Sequence, residues 1–462
     1  MSETLTRDDL LDGSAGDLAK AVAAREVSAL ELTDAAIARI EVRDTAINAV
    51  VVRDFDRARD AARAADAAVS RGEAGPLVGV PMTLKESHDV AGLPSTWGAD
   101  MFKGHVARAD GVVAARLKAA GAIILGKTNV PPMLSDWQST NPIYGRTVNP
   151  WDPTRTPGGS SGGSAAALAA GMAALEFGSD IGGSIRVPAA FCGVYGHKPS
   201  FNLIPSRGHA PAGMVGAPPP LAVVGPLART AADLRLALDV TAGPDQADAA
   251  AYRLDLPAPR HARLADHRVL MLTDLPGVTL QSDIKAALDD LAVKLEGLGA
   301  KVVRSSDLLP DFARSREVFG GLLNTALSRR EGATTTVTAF DWLDMLDAQF
   351  ALRRQWGVLF GSVDVVLSPV FGSVAFPHND EEPGKRVNVI DGKDTPYFDQ
   401  LGWPSLALVA NLPATAAPIG FTRGGLPIGA QIIGPYLEDR TTIAFAGLLE
   451  REFGGFKPPP PL

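Results

Sequence analysis

One grammar of strand, helix, glycine and strand is written twice in this chain, and few folds accept it. In the first copy, Leu77 to Lys85 reads as a strand ending in a charged residue, and Asp110 caps a helix carrying Val113 and Leu117. Gly121 stops that helix, and Ala122 to Leu125 returns as a buried strand. In the second copy, Val269 to Leu272 precedes a helix with Ile284, Leu288, Leu291 and Leu295 at helical spacing. Gly299 ends it, and Lys301 to Val303 is again a strand. Short buried strands joined by helices bury both faces of a sheet, so the pattern predicts an α/β fold. The sheet is expected to be central, mixed and largely parallel, with helices covering both faces.

Other local signals extend this reading. Ser28-Ala29-Leu30-Glu31 is a capping box, opening a helix whose Leu32, Ala36 and Ile40 form one buried stripe. Residues 47–52 suit a strand and 54–70 an alanine-rich helix, while Val363 to Leu367 and Ile428 to Ile433 read as further strands. Asp439 is the expected cap of a last helix. At 462 residues the chain is about three domains' worth of sequence, yet no Gly/Ser-rich or charged linker divides it and no fixed-period repeat appears. A single domain over 1–462 is the simplest organisation.

Composition chiefly excludes. A net charge of −8 argues against a nucleic-acid partner. The single cysteine, Cys192, permits neither an intramolecular disulfide nor a cysteine-rich metal site. The start of the chain lacks a signal-peptide apolar core, and no run of about 18 charge-free apolar residues suggests a membrane span. A cytoplasmic location is the expectation.

The chain holds 47 glycines and 35 prolines, against roughly 12% for the two together in an average protein. Ten of those glycines fall from Gly158 to Gly196, seven of them in two loops: Thr156-Pro157-Gly158-Gly159-Ser160-Ser161-Gly162-Gly163-Ser164 and Gly178-Ser179-Asp180-Ile181-Gly182-Gly183-Ser184-Ile185-Arg186-Val187-Pro188. A Walker A loop needs Lys-Ser/Thr after its final glycine, and neither loop has it. A dinucleotide fingerprint needs a glycine spacing that is also absent. Two readings remain: glycines that only permit close packing, and a serine nucleophile. A free serine hydroxyl needs a base, and the seven histidines sit in no recognisable triad context. A lysine serves instead where burial and neighbouring donors keep its amine neutral. Lys85, at the C-terminal end of a strand, is the candidate, since open α/β sheets place their sites there.

With Gly79-Val80-Pro81-Met82-Thr83-Leu84-Lys85 added to the two loops, this part of the chain closely resembles the amidase signature family. The first segment resembles the family's lysine motif, and Thr156 to Ala165 and Gly178 to Pro188 resemble its two serine loops, with Ser184 24 positions after Ser160. The matched core runs from about 77 to 200. Flanking matches lie at Ala120 to Asn129, Asn149 to Thr154, Gly225 to Asp245 and Gly425 to Gly434. On this reading the chain divides into an N-terminal helical part (about 1–75), a catalytic core (about 77–245), a variable helical and loop region (about 305–404) and a C-terminal part (405–462).

The resemblance implies a Ser–cis-Ser–Lys triad: Ser184 as nucleophile, Ser160 as bridge across a cis Gly159–Ser160 bond, and Lys85 as terminal base. A hydroxyl both donates and accepts, so Ser160 can relay a proton. The backbone N–H groups of Ile181, Gly182, Gly183 and Ser184 would form the oxyanion hole, backed by a helix N-terminus after Ile185; such donors contribute on the order of 3 kcal/mol each. Neither a cofactor nor a metal is expected. Met133, Leu134 and Trp137 are candidates to line the substrate pocket, and core packing is an equal reading for them. Trp342, Trp356 and Trp403 lie in other segments expected near the pocket. Asp180 and Arg186 read as a structural pair, Cys192 as a buried small residue and Asp136 as a loop residue.

The implied activity is hydrolysis of an amide, with a lean toward a small hydrophobic or aryl substrate. Carbamate or ester hydrolysis through the same acyl chemistry is the alternative. The partner is then a small molecule, and a homodimer is an admissible assembly. Glu86 stands where the family usually carries Asp. Glutamine-hydrolysing amidotransferase A subunits, a branch of the family, carry Tyr-Gly-Arg-Val-Ser-Arg and Leu-Asp-Gln-Ile-Gly-Pro where this chain has Phe201-Asn202-Leu203-Ile204-Pro205-Ser206-Arg207 and Leu221-Ala222-Val223-Val224-Gly225-Pro226. The missing polar groups weigh against that branch, and an intact triad weighs against a non-catalytic binding relative.

Overall fold

Each of the two strand–helix–glycine–strand units folds as a parallel crossover, and the chain between them builds the rest of one sheet. The computed structural model describes residues 10–214, 218–331 and 337–461. In chain order the strands begin with β1 (Val50–Arg53), β2 (Pro81–Lys85) and β3 (Ile123–Thr128), then a small separate hairpin of β4 (Thr140–Asn141) and β5 (Gly145–Arg146). β6 (Leu175–Asp180), β7 (Tyr195–Lys198) and β8 (Val223–Ala228) follow, then β9 (Arg268–Met271), β10 (Lys301–Val303) and β11 (Val365–Pro369). A second separate hairpin, β12 (Val387–Ile390) and β13 (Lys393–Pro396), precedes β14 (Ala414–Phe421) and β15 (Pro427–Ile433). Eleven strands join in the order β1-β3-β2-β6-β8-β7-β14-β15-β11-β9-β10.

The sheet is mixed, and its parallel character is regional. β3, β2 and β6 are parallel at one side, and β11, β9 and β10 at the other. These are the places where helical crossovers return the chain in the same direction. Between them the pairings of β6, β8, β7, β14, β15 and β11 are antiparallel. There β14 and β15 form a hairpin, an irregular loop joins β7 to β8, and the short helix Arg186–Cys192 turns the chain between β6 and β7.

The capping box at Ser28 is present, opening a helix over Ala29–Ile47. Gly121, at φ +94°, ends the helix Val112–Ala119 before β3. Two expected caps are displaced by one residue. Gly111 is the cap of Val112–Ala119, because the Asp110 carboxylate is taken by the Ala91 N–H and Lys118. Glu438 precedes the helix Asp439–Phe453, and Asp439 turns inward to accept from Ser200 and contact His197.

Two short helices lie wholly inside the core: Gly162–Ala169, after the first serine loop, and Arg186–Cys192, after the second. Every residue of both is buried. Sequence explains the first directly. Gly-Gly-Ser-Ala-Ala-Ala-Leu-Ala offers small side chains on all faces, so a helix fits in the interior rather than on top of it. That packing carries the two serine loops to the centre of the molecule.

Candidate active site

β2 ends on Lys85, which is completely buried. It donates to Ser160 Oγ at 2.6 Å and to Ser179 Oγ at 2.9 Å. The Gly159–Ser160 peptide bond is cis. Gly159 is required for packing as well, since a Cβ there would stand 2.4 Å from the Asp136 carbonyl oxygen. Ser184 follows β6 in the turn before Arg186–Cys192. The backbone ties the loops together: the Ser161 N–H donates to the Ser184 carbonyl at 3.2 Å. Exposure rises along the row from Lys85 (0%) through Ser160 (1%) to Ser184 (6%), which puts Ser184 nearest the solvent. Ser179 escaped the sequence reading. It lies near the end of β6, and nothing in its spacing distinguishes it from any other strand serine.

Asp180 organises the loop that carries Ser184. Its carboxylate accepts from the N–H groups of Gly183 (2.8 Å) and Ile185 (3.2 Å) and holds the Arg186 guanidinium through two contacts of 3.0 Å. Both side chains are fully buried. Burial works against the Asp180 carboxylate, but Arg186, Lys198 and the Gly183 N–H outweigh it and hold its pKa below the ordinary range. Arg186 in turn donates to Gln431 and to the Pro404 carbonyl. The expected structural pair is therefore a tether between the serine loop, β15 and the segment around Pro404.

This tether revises the expected oxyanion hole. The Gly183 N–H is already committed to Asp180, as are the first donors of the following helix. Among the described residues, the N–H groups of Ile181, Gly182 and Ser184 have no protein acceptor. Gly183 instead serves through its conformation: φ is +98°, and a Cβ would sit 2.8 Å from Val187 Cγ2.

The candidate pocket residues divide. Met133 and Leu134, both at positive φ, pack with Trp97 and Val130. Trp137 belongs to a different cluster with Phe371 and Tyr397, and its Nε1 donates to the Gly182 carbonyl at 3.1 Å. Trp137 thus touches the serine loop itself. Asp136 is more than a loop residue, since it accepts from Tyr397 and Arg386, each at 2.6 Å. Trp356 and Trp403 are core residues. Glu86 accepts from the N–H groups of Thr96 and Trp97 and faces away into that structural role. His209, on an irregular loop, contacts Ser87 Oγ at 2.9 Å and stacks near His88 and Trp97.

Several buried titratable groups surround the centre. Burial pushes Glu176 on β6 up to about 7 and lowers Lys198 to about 7, Lys127 to about 8 and His88 to about 3. Burial also raises the Cys192 thiol far above its usual range, so it is not a second nucleophile. His197, Asp439 and Ser200 are in contact, but Ser200 Oγ bonds the carboxylate and not the imidazole, which is not the order of a catalytic triad. Among the described residues, no group of three or more His, Cys, Asp or Glu is placed to hold a metal, and no helix is long and apolar enough to cross a membrane.

The Amidase family model matches residues 31–332 and 310–443. The chain is 34% identical to the A subunit of glutamyl-tRNA(Gln) amidotransferase from Anaeromyxobacter sp. (strain K), over 99% of each. Among solved structures, a chain of an inhibitor-bound vestigial protein complex bearing on the origins of an s-triazine catabolic enzyme superposes with TM-score 0.82. It is 29% identical, with 96% of this chain and 100% of that one covered. A bacterial aryl acylamidase of the amidase signature family gives TM-score 0.78 at 27% identity, covering 96% of both chains.

Proposed function

The chain belongs to the amidase signature family, an enzyme family of carbon–nitrogen hydrolysis, and from that premise we propose that it cleaves a small hydrophobic or aryl amide through an acyl-enzyme on Ser184. Ser184 attacks the carbonyl while its proton passes to Ser160 and from Ser160 to Lys85 as the neutral amine. The free N–H groups of Ile181, Gly182 and Ser184 receive the developing oxyanion. Lys85, now protonated, returns the proton through Ser160 to the leaving amine. Water then enters, gives its proton to the same relay and releases the acid.

The observation that carries this reading is the buried 2.6 Å contact between Lys85 Nζ and Ser160 Oγ. The lean toward an apolar substrate rests on the likeness to a bacterial aryl acylamidase over 96% of both chains. Ser184→Ala is expected to abolish turnover of a p-nitroanilide or acyl-anilide with the fold intact, and Lys85→Ala nearly to abolish it. Ser184→Ala protein with near-normal activity would overturn the mechanism.

A second reading has its own support. Curated relatives at 31–34% identity are amidotransferase A subunits, which would make the substrate glutamine and the chain one part of an assembly. Against it stands the register of β6 with β8. Val223 pairs with Asp180, and Val224 with Ser179. Where that branch has Asp-Gln-Ile, this chain puts Ala222-Val223-Val224 beside the serine loop. The purified chain assayed alone on aryl amides and on glutamine separates the two. Aryl amide hydrolysis without a partner favours the first reading; activity confined to glutamine with partner chains added favours the second.

A further inference from the structure

The helix Ala339–Ser362 buries Leu352, Trp356, Leu359 and Phe360 against the core and turns a second, exposed stripe outward. Along it, Phe340, Leu343, Asp347, Phe350, Arg354, Gly357 and Gly361 recur at alternating steps of three and four residues. That is the spacing of a helix–helix seam, not of an ordinary solvated face. Phe340 is 81% exposed, Leu343 56%, Phe350 50% and neighbouring Val358 61%. The stripe extends about 30 Å along the helix.

We propose that this face is the contact for a second copy of the chain, packed antiparallel about a two-fold axis between Phe350 and Ala351. The charges select that partner. Asp347 and Arg354 are equally spaced on either side of this point, so a two-fold pairing sets Asp347 of each copy against Arg354 of the other. Neither has an ion-pair partner among the described residues. The same axis pairs Leu343 with Val358. It also sets Phe340 over Gly361, where a Cβ would meet nothing within 4 Å, as at Gly357. Two glycines inside a helix weaken it, and here they leave flat ground for an incoming aromatic ring. A shallow cleft of about 610 Å³, lined by Arg314, Asp344, Asp347, Phe350 and Arg354, flanks the stripe and gives the partner's side chains room. This proposal is independent of the catalytic reading.

The test is sedimentation equilibrium of the full-length protein at micromolar concentration. Wild type is expected at twice the 48.2 kDa chain mass. Leu343→Glu with Phe350→Glu should return it to the single-chain mass, and Asp347→Arg should weaken association at least 100-fold. Asp347→Arg combined with Arg354→Asp should restore it, because the swapped charges still meet. Far-UV circular dichroism and turnover check that each variant is folded. A single-chain mass for wild type, a dimer indifferent to these substitutions, or a charge swap that fails to restore association would each overturn the proposal. So would a monomer that instead floats with phosphatidylcholine–phosphatidylglycerol vesicles.

Discussion

Replacing Asp180 with asparagine should damage stability and turnover together, and the sizes follow from its contacts. Asp180 and Arg186 are both fully buried and meet at 3.0 Å through two contacts, and the same carboxylate accepts from the Gly183 and Ile185 N–H groups. Asparagine keeps one acceptor oxygen and turns an NH2 toward donors. It also leaves the Arg186 cation buried without its counter-charge. Breaking a buried pair from one side costs about 3–5 kcal/mol. With an unfolding entropy of about 2.1 cal/mol/K per residue, a chain of this length should lose roughly 3–5 °C in Tm. The loop holding Gly182 and Ser184 loses its tether at the same time. An oxyanion donor is worth about 10²–10³ in kcat, so kcat on an aryl amide should fall about 100-fold or more with KM little changed. Calorimetry and steady-state kinetics give both numbers. Pairing Asp180→Asn with Arg186→Gln in a double-mutant cycle should show a coupling of at least about 1 kcal/mol. An Asp180→Asn enzyme within twofold of wild-type kcat and 1 °C of its Tm would refute the tether.

Two further outcomes follow. Glu176 holds its proton up to about 7 in the folded chain against 4.5 for a free carboxyl, because burial disfavours its charge. Its contribution is therefore full below pH 4.5 and lost as pH rises through about 7, a change of about 3 kcal/mol. Denaturant titrations between pH 4.5 and 7 should show stability falling more steeply in wild type than in Glu176→Gln, and parallel slopes would contradict the account. Trp137→Phe removes the donor to the Gly182 carbonyl and should lower kcat about tenfold with KM unchanged; a change in KM alone would make Trp137 a substrate contact.

The parts of this molecule legible in the sequence are those set by local chemistry. Ser28 and Glu31 announce their helix because a capping box satisfies donors within four residues. Gly121 and Gly299 end helices at positive φ, as their places in the pattern predict. Lys85, Ser160 and Ser184 are recognisable through motif resemblance, which fixes their spacing, though composition and periodicity alone left a packing role open. What escaped depends on distant partners. Asp110 and Asp439 look like caps until Ala91 and Lys118, or His197 and Ser200, claim their carboxylates. That the Gly183 N–H is held by Asp180 is invisible in Gly-Gly-Ser, because it depends on where the Asp180 side chain turns. The antiparallel middle of the sheet likewise depends on pairings between strands far apart in sequence.

The central claim is that Ser184 carries the acyl group. A fluorophosphonate that phosphorylates activated serines, followed by peptide mass spectrometry, tests it most directly. The adduct should fall on the peptide containing Ser184, in step with loss of amide hydrolysis, and be absent from Lys85→Ala. Complete inactivation with the adduct on another residue, or full activity with Ser184 modified, would contradict it.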